Sequence, residues 1–134
     1  MSHGNVEIVQ GIYDGFAQHD SEMPFALYAP NIEFDASRYH LLGQFAVYHG
    51  HDGIRAMFSE LLTEFRGLEF QVLDLTPAGD HVLVTVRQSG VGRTSGAAVD
   101  SRHYALWTLH DGVVTRVCTF LDHGEALRAA GLKE

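Results

Sequence analysis

Nine histidines and one cysteine are the side chains that titrate closest to neutrality in this chain, and His103 is the one best placed to do chemistry. It alternates with Ala105, Trp107 and Leu109 along an apolar run, so the four share one face of a strand. An imidazole on such a face can accept a proton from an acidic C–H bond without large tuning of its pKa. The competing role is a core histidine held by a hydrogen bond, or a cross-strand partner of Arg87. Trp107 carries a hydrogen-bond donor only, so it reads as the wall of a pocket and not as a catalyst. Tyr13, Phe16, Phe34 and Phe120 are further aromatic candidates for lining a pocket, with plain core as their alternative.

Other clusters carry less. His40, His49, His51 and Asp52 contain metal-ligating types, but their spacing is loose and no second group completes a coordination shell, so neither a metal nor any cofactor is expected. The stretch Gly90-Val-Gly-Arg-Thr-Ser-Gly96 is glycine-rich. A phosphate loop would have to open a helix, and here a strand follows, so it reads as a hairpin turn. Cys118 sits among strand hydrophobes with no base nearby in sequence and reads as core.

The elements that must position these residues follow from periodicity. Ile8, Val9, Ile12, Tyr13 and Phe16 form one stripe of a helix over Asn5 to His19. Ser21 is the expected N-cap of a short helix with Pro24 in its first turn, ending near Tyr28 before Pro30. Ile32 to Ser37 alternates as a strand, and Arg38 to His51 is an irregular, aromatic-rich stretch. From Asp52, the positions Ile54, Met57, Phe58, Leu61, Leu62 and Phe65 give an amphipathic helix that Gly67 is placed to end. Four strands follow at Leu68–Thr76, His81–Gly92, Ala97–Leu109 and Val113–Leu121. Turns at Pro77–Asp80, Gly92–Gly96 and Asp111–Gly112 imply an antiparallel meander. Asp122 and Glu125 have capping-box spacing ahead of a last helix that Gly131 closes.

The strand His81-Val-Leu-Val-Thr-Val-Arg87 opens apolar on both faces, so both need cover. The expectation is that helices cover one face. A second copy of the chain would then cover Val82, Val84 and Val86 on the other, giving a homodimer. No repeat or domain boundary appears, so residues 1–134 read as a single domain.

Bulk properties exclude several classes. The net charge of −8 disfavours nucleic acid and anionic membrane surfaces as partners. Hydrophobic residues at 46% and charged residues at 19% are a globular composition, and the length is enough to bury one core. No apolar run reaches the roughly 20 residues that span a bilayer, the start has no signal-peptide pattern, and one cysteine forms no internal disulfide. The expected address is therefore cytoplasmic.

Helices, one strand, a helix and then a four-strand meander resemble the cone-shaped α+β fold of the nuclear transport factor 2-like superfamily, in which a curved, mostly antiparallel sheet wraps around N-terminal helices. Tyr13-Asp-Gly-Phe16 with Asp20, Leu27-Tyr-Ala-Pro-Asn-Ile-Glu-Phe34 and Gly50-His-Asp-Gly-Ile-Arg55 resemble its helix and strand junctions. Tyr104-Ala-Leu-Trp-Thr-Leu-His-Asp-Gly-Val-Val114 and Glu125-Ala-Leu-Arg-Ala-Ala-Gly-Leu132 are most similar to the SnoaL-like branch.

The resemblance directs the face of His103 toward a pocket for a small apolar molecule. Against ketosteroid isomerases, Ala36 stands where the carboxylate base belongs, with Asp35 one position away and hence on the opposite face; Asp35 serves as the base only if the register slips by one. Ile12 falls on the helix tyrosine, with Tyr13 adjacent. Against limonene-type epoxide hydrolases, Arg87 matches the arginine, while Ser89 and Thr119 replace its two aspartates. Arg87 and Thr119 are thereby left as binding residues. Arg87, expected in the pocket beside His103 and Trp107, needs a carboxylate or a ligand anion, and Asp35 and Asp122 are the nearest carboxylates in sequence. Two functions follow. One is proton-transfer chemistry of the isomerase, cyclase or hydratase type on an apolar carbonyl or polycyclic compound, with His103 as acid/base and Arg87 or Tyr13 steadying negative charge. The other is a non-catalytic ligand-binding or dimerisation module.

Overall fold

The computed structural model describes residues 2–18, 20, 22–38 and 47–133. Helix α1 (Ser2–Ala17) leads through a 3-10 turn (Met23–Leu27) into β1 (Tyr28–Asp35), followed by β2 (Val47–His49) and α2 (Gly50–Glu64). Four long strands follow: β3 (Phe65–Ala78), β4 (His81–Gly92), β5 (Ala98–His110) and β6 (Val113–Phe120), with α3 (His123–Ala129) last. They form one six-stranded sheet in the order β2-β1-β6-β5-β4-β3, with β1 parallel to β6 and every other pair antiparallel. The α+β class and the four-strand meander match the expectation. Among the described residues no helix is long and apolar enough to cross a membrane.

Several boundaries differ for identifiable reasons. β1 begins at Tyr28 and not at Ile32, so Pro30 lies inside a strand. Proline donates no ladder hydrogen bond, and the pairing of β1 with β6 shifts register between Tyr28 and Glu33, where Pro30 falls. The N-cap expected at Ser21, and His40 with most of the irregular stretch after Arg38, lie outside the described residues. The end of that stretch is β2, which pairs with the tip of β1. α2 starts at Gly50, two residues before the expected Asp52, and stops at Glu64 without using Gly67. Phe65 passes directly into extended backbone, and Gly67, at φ +60°, serves the bulge between Arg66 and Glu69 in β3. Arg93 caps α2 from outside. Its backbone N–H donates to the Glu64 carbonyl at 2.9 Å and its Nε to the Leu62 carbonyl at 2.8 Å, satisfying acceptors that a helix end leaves open. At the other end of the chain Asp122 accepts from the Glu125 N–H at 2.8 Å, the cap read from sequence.

The two faces of the sheet bury different cores. On the inner face, Val82, Val84 and Val86 of β4, Ala105, Trp107 and Leu109 of β5, and Val114 and Val117 of β6 pack with Val9, Ile12 and Tyr13 of α1 and Ile54, Met57 and Leu61 of α2. On the outer face Leu83, Leu106, Cys118 and Phe120 pack under Ala126 and Ala130 at α3. This corrects the expected sidedness of β4. Val82, Val84 and Val86 are each fully buried within the chain and need no second copy, while the chain's own last helix covers part of the opposite face.

Candidate functional site

Between α1, α2 and the inner face lies a cavity of about 80 Å³. Tyr13 and Phe16 reach it from α1, Met57, Phe58 and Leu61 from α2, and Tyr28 and Phe34 from β1, with Ala36 just beyond. Tyr48 of β2, Phe70 of β3, Gln88 of β4, His103, Ala105 and Trp107 of β5, and Val117 and Thr119 of β6 complete it. No Asp, Glu, Lys or Arg stands among these described lining residues. At one side Tyr13, Trp107 and Tyr28 pack ring to ring, with Tyr13–Trp107 centroids 5.6 Å apart at 70° and Tyr28–Trp107 centroids 6.5 Å apart. The indole N–H of Trp107 donates to the Tyr13 hydroxyl oxygen at 3.2 Å. Phe16 packs against Tyr13, Phe58 and Phe70 at 5.7, 5.3 and 6.0 Å.

Burial dominates the electrostatics. Burial in apolar surroundings penalises whichever form is charged. The Tyr13 and Tyr28 hydroxyls are therefore held protonated far beyond neutrality, by burial foremost, with the Trp107 bond opposing it at Tyr13 and the neighbouring Tyr13 adding to it at Tyr28. Tyr48 is pushed up to about 12 by burial and by its bond to Glu60, to which it donates at 2.7 Å. His103, 6% exposed, is pulled down to about 4 by burial, so its imidazole is neutral at physiological pH. The site thus presents hydroxyls, an amide and a neutral imidazole among aromatic rings.

A family model described as the SnoaL-like domain matches residues 9–117. The chain belongs to that family. Among solved structures, this SnoaL-like domain is similar to an NTF2-like protein from Burkholderia thailandensis (28% identity, TM-score 0.76, 94% of this chain and 95% of that one). It is also similar to a candidate SnoaL-like polyketide cyclase from Jannaschia (24%, TM-score 0.73, 99% and 95%). TerC, co-crystallised with polyporic acid, shares the fold (22%, TM-score 0.74, 96% and 98%). Among curated proteins none matches.

Of the residues singled out from sequence, this SnoaL-like domain gathers Tyr13, Phe16, Phe34, His103, Trp107 and Thr119 around one cavity. Two are elsewhere. Arg87 is exposed, beside Arg102 across the ladder and paired with Asp100 through Nε–Oδ1 at 2.8 Å, so its carboxylate is neither Asp35 nor Asp122. It shares an ion pair in water, which leaves it no unmet charge to offer the cavity.

Asp35 lies between the cavity-lining Phe34 and Ala36, and strand alternation sends it to the other side, opposite Cys118. There it accepts from the Ser37 N–H at 2.9 Å, and Arg38 and Arg116 stand at 3.3 and 3.4 Å. Burial alone would raise its pKa, but the Ser37 bonds and the two guanidiniums outweigh that and hold it below the usual carboxylate range. A carboxylate so held is an anchor and a poor base. Cys118 is buried beside it, its thiol pushed up by burial and by Asp35.

The histidines of the metal reading have separate uses. His51 Nε2 lies 3.0 Å from the Tyr28 carbonyl, its ring packed on Phe25, while His49 is exposed in β2. Among the described residues no three metal-ligating side chains converge. Tyr28, Tyr48 and Gln88 are lining residues the sequence reading missed. Gln88 had a signal, because it shares the parity of Val82, Val84 and Val86 and is 2% exposed.

Proposed function

We propose that this SnoaL-like domain binds a small, uncharged, largely apolar carbonyl compound in the cavity and removes a proton beside its carbonyl. The observation that carries this reading is a lining of aromatic rings with neutral hydrogen-bonding groups and no charged side chain. An anionic ligand entering such a site would lose its hydration without a counter-charge, whereas a neutral carbonyl needs only a donor. Tyr13 accepts from Trp107, which leaves its own O–H to donate, and Tyr28 lines the same side. In the reaction, neutral His103 takes the α-proton while a tyrosine O–H holds the oxygen of the resulting enolate. Return of a proton to carbon completes an isomerisation or an exchange. The depressed basicity of His103 favours a second reading, in which the same cavity only binds.

Trp107 is the chain's one tryptophan and reports directly on occupancy. Titration of its fluorescence with cyclohexanone against cyclohexanecarboxylate tests the binding. The ketone should shift it and the carboxylate should not, and the reverse order defeats the reading. Deuterium uptake at the α-carbons of the ketone in D2O, lost in His103→Ala, tests the chemistry; binding without uptake leaves the binding module.

We also propose a homodimer through the part of the outer face that α3 leaves uncovered. Its support is the exposed Leu73 on β3 and the confinement of the second core to Leu83, Leu106, Cys118 and Phe120. Light scattering at tens of micromolar showing a monomer defeats it.

A further inference from the structure

We infer that Gln88 sets the substrate class: its amide holds a second carbonyl oxygen beside the reacting carbon, so the substrate is an uncharged 1,3-dicarbonyl compound. The inference deepens the reading of the cavity as a site of proton removal by His103 and rests on it. The pairing of β4 with β5 places Val86 opposite His103 and Gln88 opposite Ser101, which makes Gln88 the diagonal neighbour of His103 on the inner face. Diagonal neighbours lie about 7–8 Å apart, within reach of a long side chain. Both residues line the cavity, and Gln88 is almost wholly buried there, with the lining ring of Phe70 opposite it on β3.

His103 thereby stands between two hydrogen-bonding groups. Along the inner face of β5 the order is His103, Ala105, Trp107, and the Trp107 N–H fixes the Tyr13 hydroxyl at 3.2 Å. Gln88 lies on the other side of His103, away from that pair. Ala105 projects only a methyl group between His103 and Trp107, which leaves that floor of the cavity to the apolar body of a ligand. A ligand whose reacting carbon faces His103 therefore meets a tyrosine O–H on one side and an amide on the other. The amide is neutral, which suits a carbonyl and not a carboxylate. The strength of the base points the same way. Burial leaves His103 a weak base, pulled down to about 4. Such a base draws a proton slowly from a carbon beside one carbonyl and far faster from a carbon between two. An imidazole nitrogen takes that proton, and the C–H electron pair spreads over both oxygens as an enolate. A tyrosine O–H donates to one oxygen and the Gln88 N–H to the other. The imidazolium then returns the proton to oxygen or to carbon, giving the enol or the starting diketone.

The test compares 2-acetylcyclohexanone with 2-isopropylcyclohexanone, which has the same outline with a methyl group in place of the second oxygen. Affinities are measured by titration calorimetry in neutral buffer, where both ketones are uncharged. A site built to hydrogen-bond an oxygen rejects the analogue that lacks it, so the diketone should bind the unaltered chain roughly tenfold more tightly or better. In Gln88→Leu the gap should close because the diketone weakens, with the isopropyl ketone bound no less tightly. The unaltered chain should also speed keto–enol interconversion of the diketone, followed at the ultraviolet band of its enol. His103→Ala should abolish that acceleration, and Gln88→Leu should reduce it roughly tenfold. Should Gln88→Leu lose its far-ultraviolet circular dichroism, Gln88→Met takes its place. Equal affinities in the unaltered chain overturn the inference by themselves, whether or not a variant folds, while leaving the cavity a ligand site. A gap that persists in the folded variant, or that closes because both ketones weaken, overturns the role of Gln88. If neither ketone binds, or the bound diketone is not enolised faster, the reading of the cavity as a site of proton removal falls and this inference falls with it.

Discussion

Acidification should weaken the fold through His103 before any carboxylate contributes. In the unfolded chain this imidazole has its ordinary pKa of about 6.5. In the fold, burial holds it near 4, with no carboxylate among its described cavity neighbours to favour the cation. The unfolded state therefore binds a proton that the folded state refuses. The stabilising effect of burying neutral His103 is complete above pH 6.5 and is lost as pH falls from there toward 4. The difference, 2.5 pKa units at about 1.4 kcal/mol each, is about 3 kcal/mol at the bottom of the window. That is a large share of the 5–15 kcal/mol typical of a domain. Asp35 acts in the same direction but lower, since its depressed pKa keeps its contribution until the pH drops below the usual carboxylate range. Urea midpoints at pH 7.5, 6.0, 5.0 and 4.5, for the chain and for His103→Gln, isolate the effect. The unaltered chain should lose about 1 kcal/mol per pH unit between 6 and 4.5, and the variant should be nearly flat there. Parallel loss in both proteins would refute the argument and place the acid sensitivity elsewhere.

Three further outcomes follow from the same geometry. Cyclohexanone affinity should stay flat between pH 5 and 9, because His103 near 4 and Tyr48 near 12 leave no described lining group titrating in that range; a midpoint near 6.5 by fluorescence titration contradicts it. Tyr13→Phe leaves the buried Trp107 N–H without its acceptor and should cost about 1–3 kcal/mol in urea unfolding, with loss of ketone binding. Arg87→Ala, which removes an exposed pair with Asp100, should leave ketone affinity within twofold and the urea midpoint essentially unchanged; a tenfold loss of affinity would return Arg87 to the site.

The placement of Arg87 shows where sequence reasoning met its limit. His103, Trp107 and the aromatic stripe of α1 were legible because each lies in a segment with one dominant periodicity. β4 has none: Val82, Leu83, Val84 and Val86 are all buried, the odd position under α3 and the even ones under α1 and α2. Parity along that strand is certain, but which parity faces inward depends on the hairpin that joins it to β5. A turn running from Gly92 to Gly96 is centred on Thr94. It would set Thr85 opposite His103 and bring Arg87 onto the cavity face. In the folded chain Gly92 N–H donates to the Ala97 carbonyl at 2.9 Å, one residue farther on, and Val86 stands opposite His103 instead. A single residue of loop length thus turns the whole strand over. Asp35 was the easier case, because the strand after Pro30 alternates without ambiguity and the buried Ile32 fixes the inward parity of Phe34 and Ala36. Gln88 was the residue that could have decided β4. An amide on the outer face could have met water at little cost, whereas on the inner face it is polar surface that an apolar cavity retains only for hydrogen bonding. The same hairpin register that sends Arg87 to solvent brings Gln88 to the cavity beside His103.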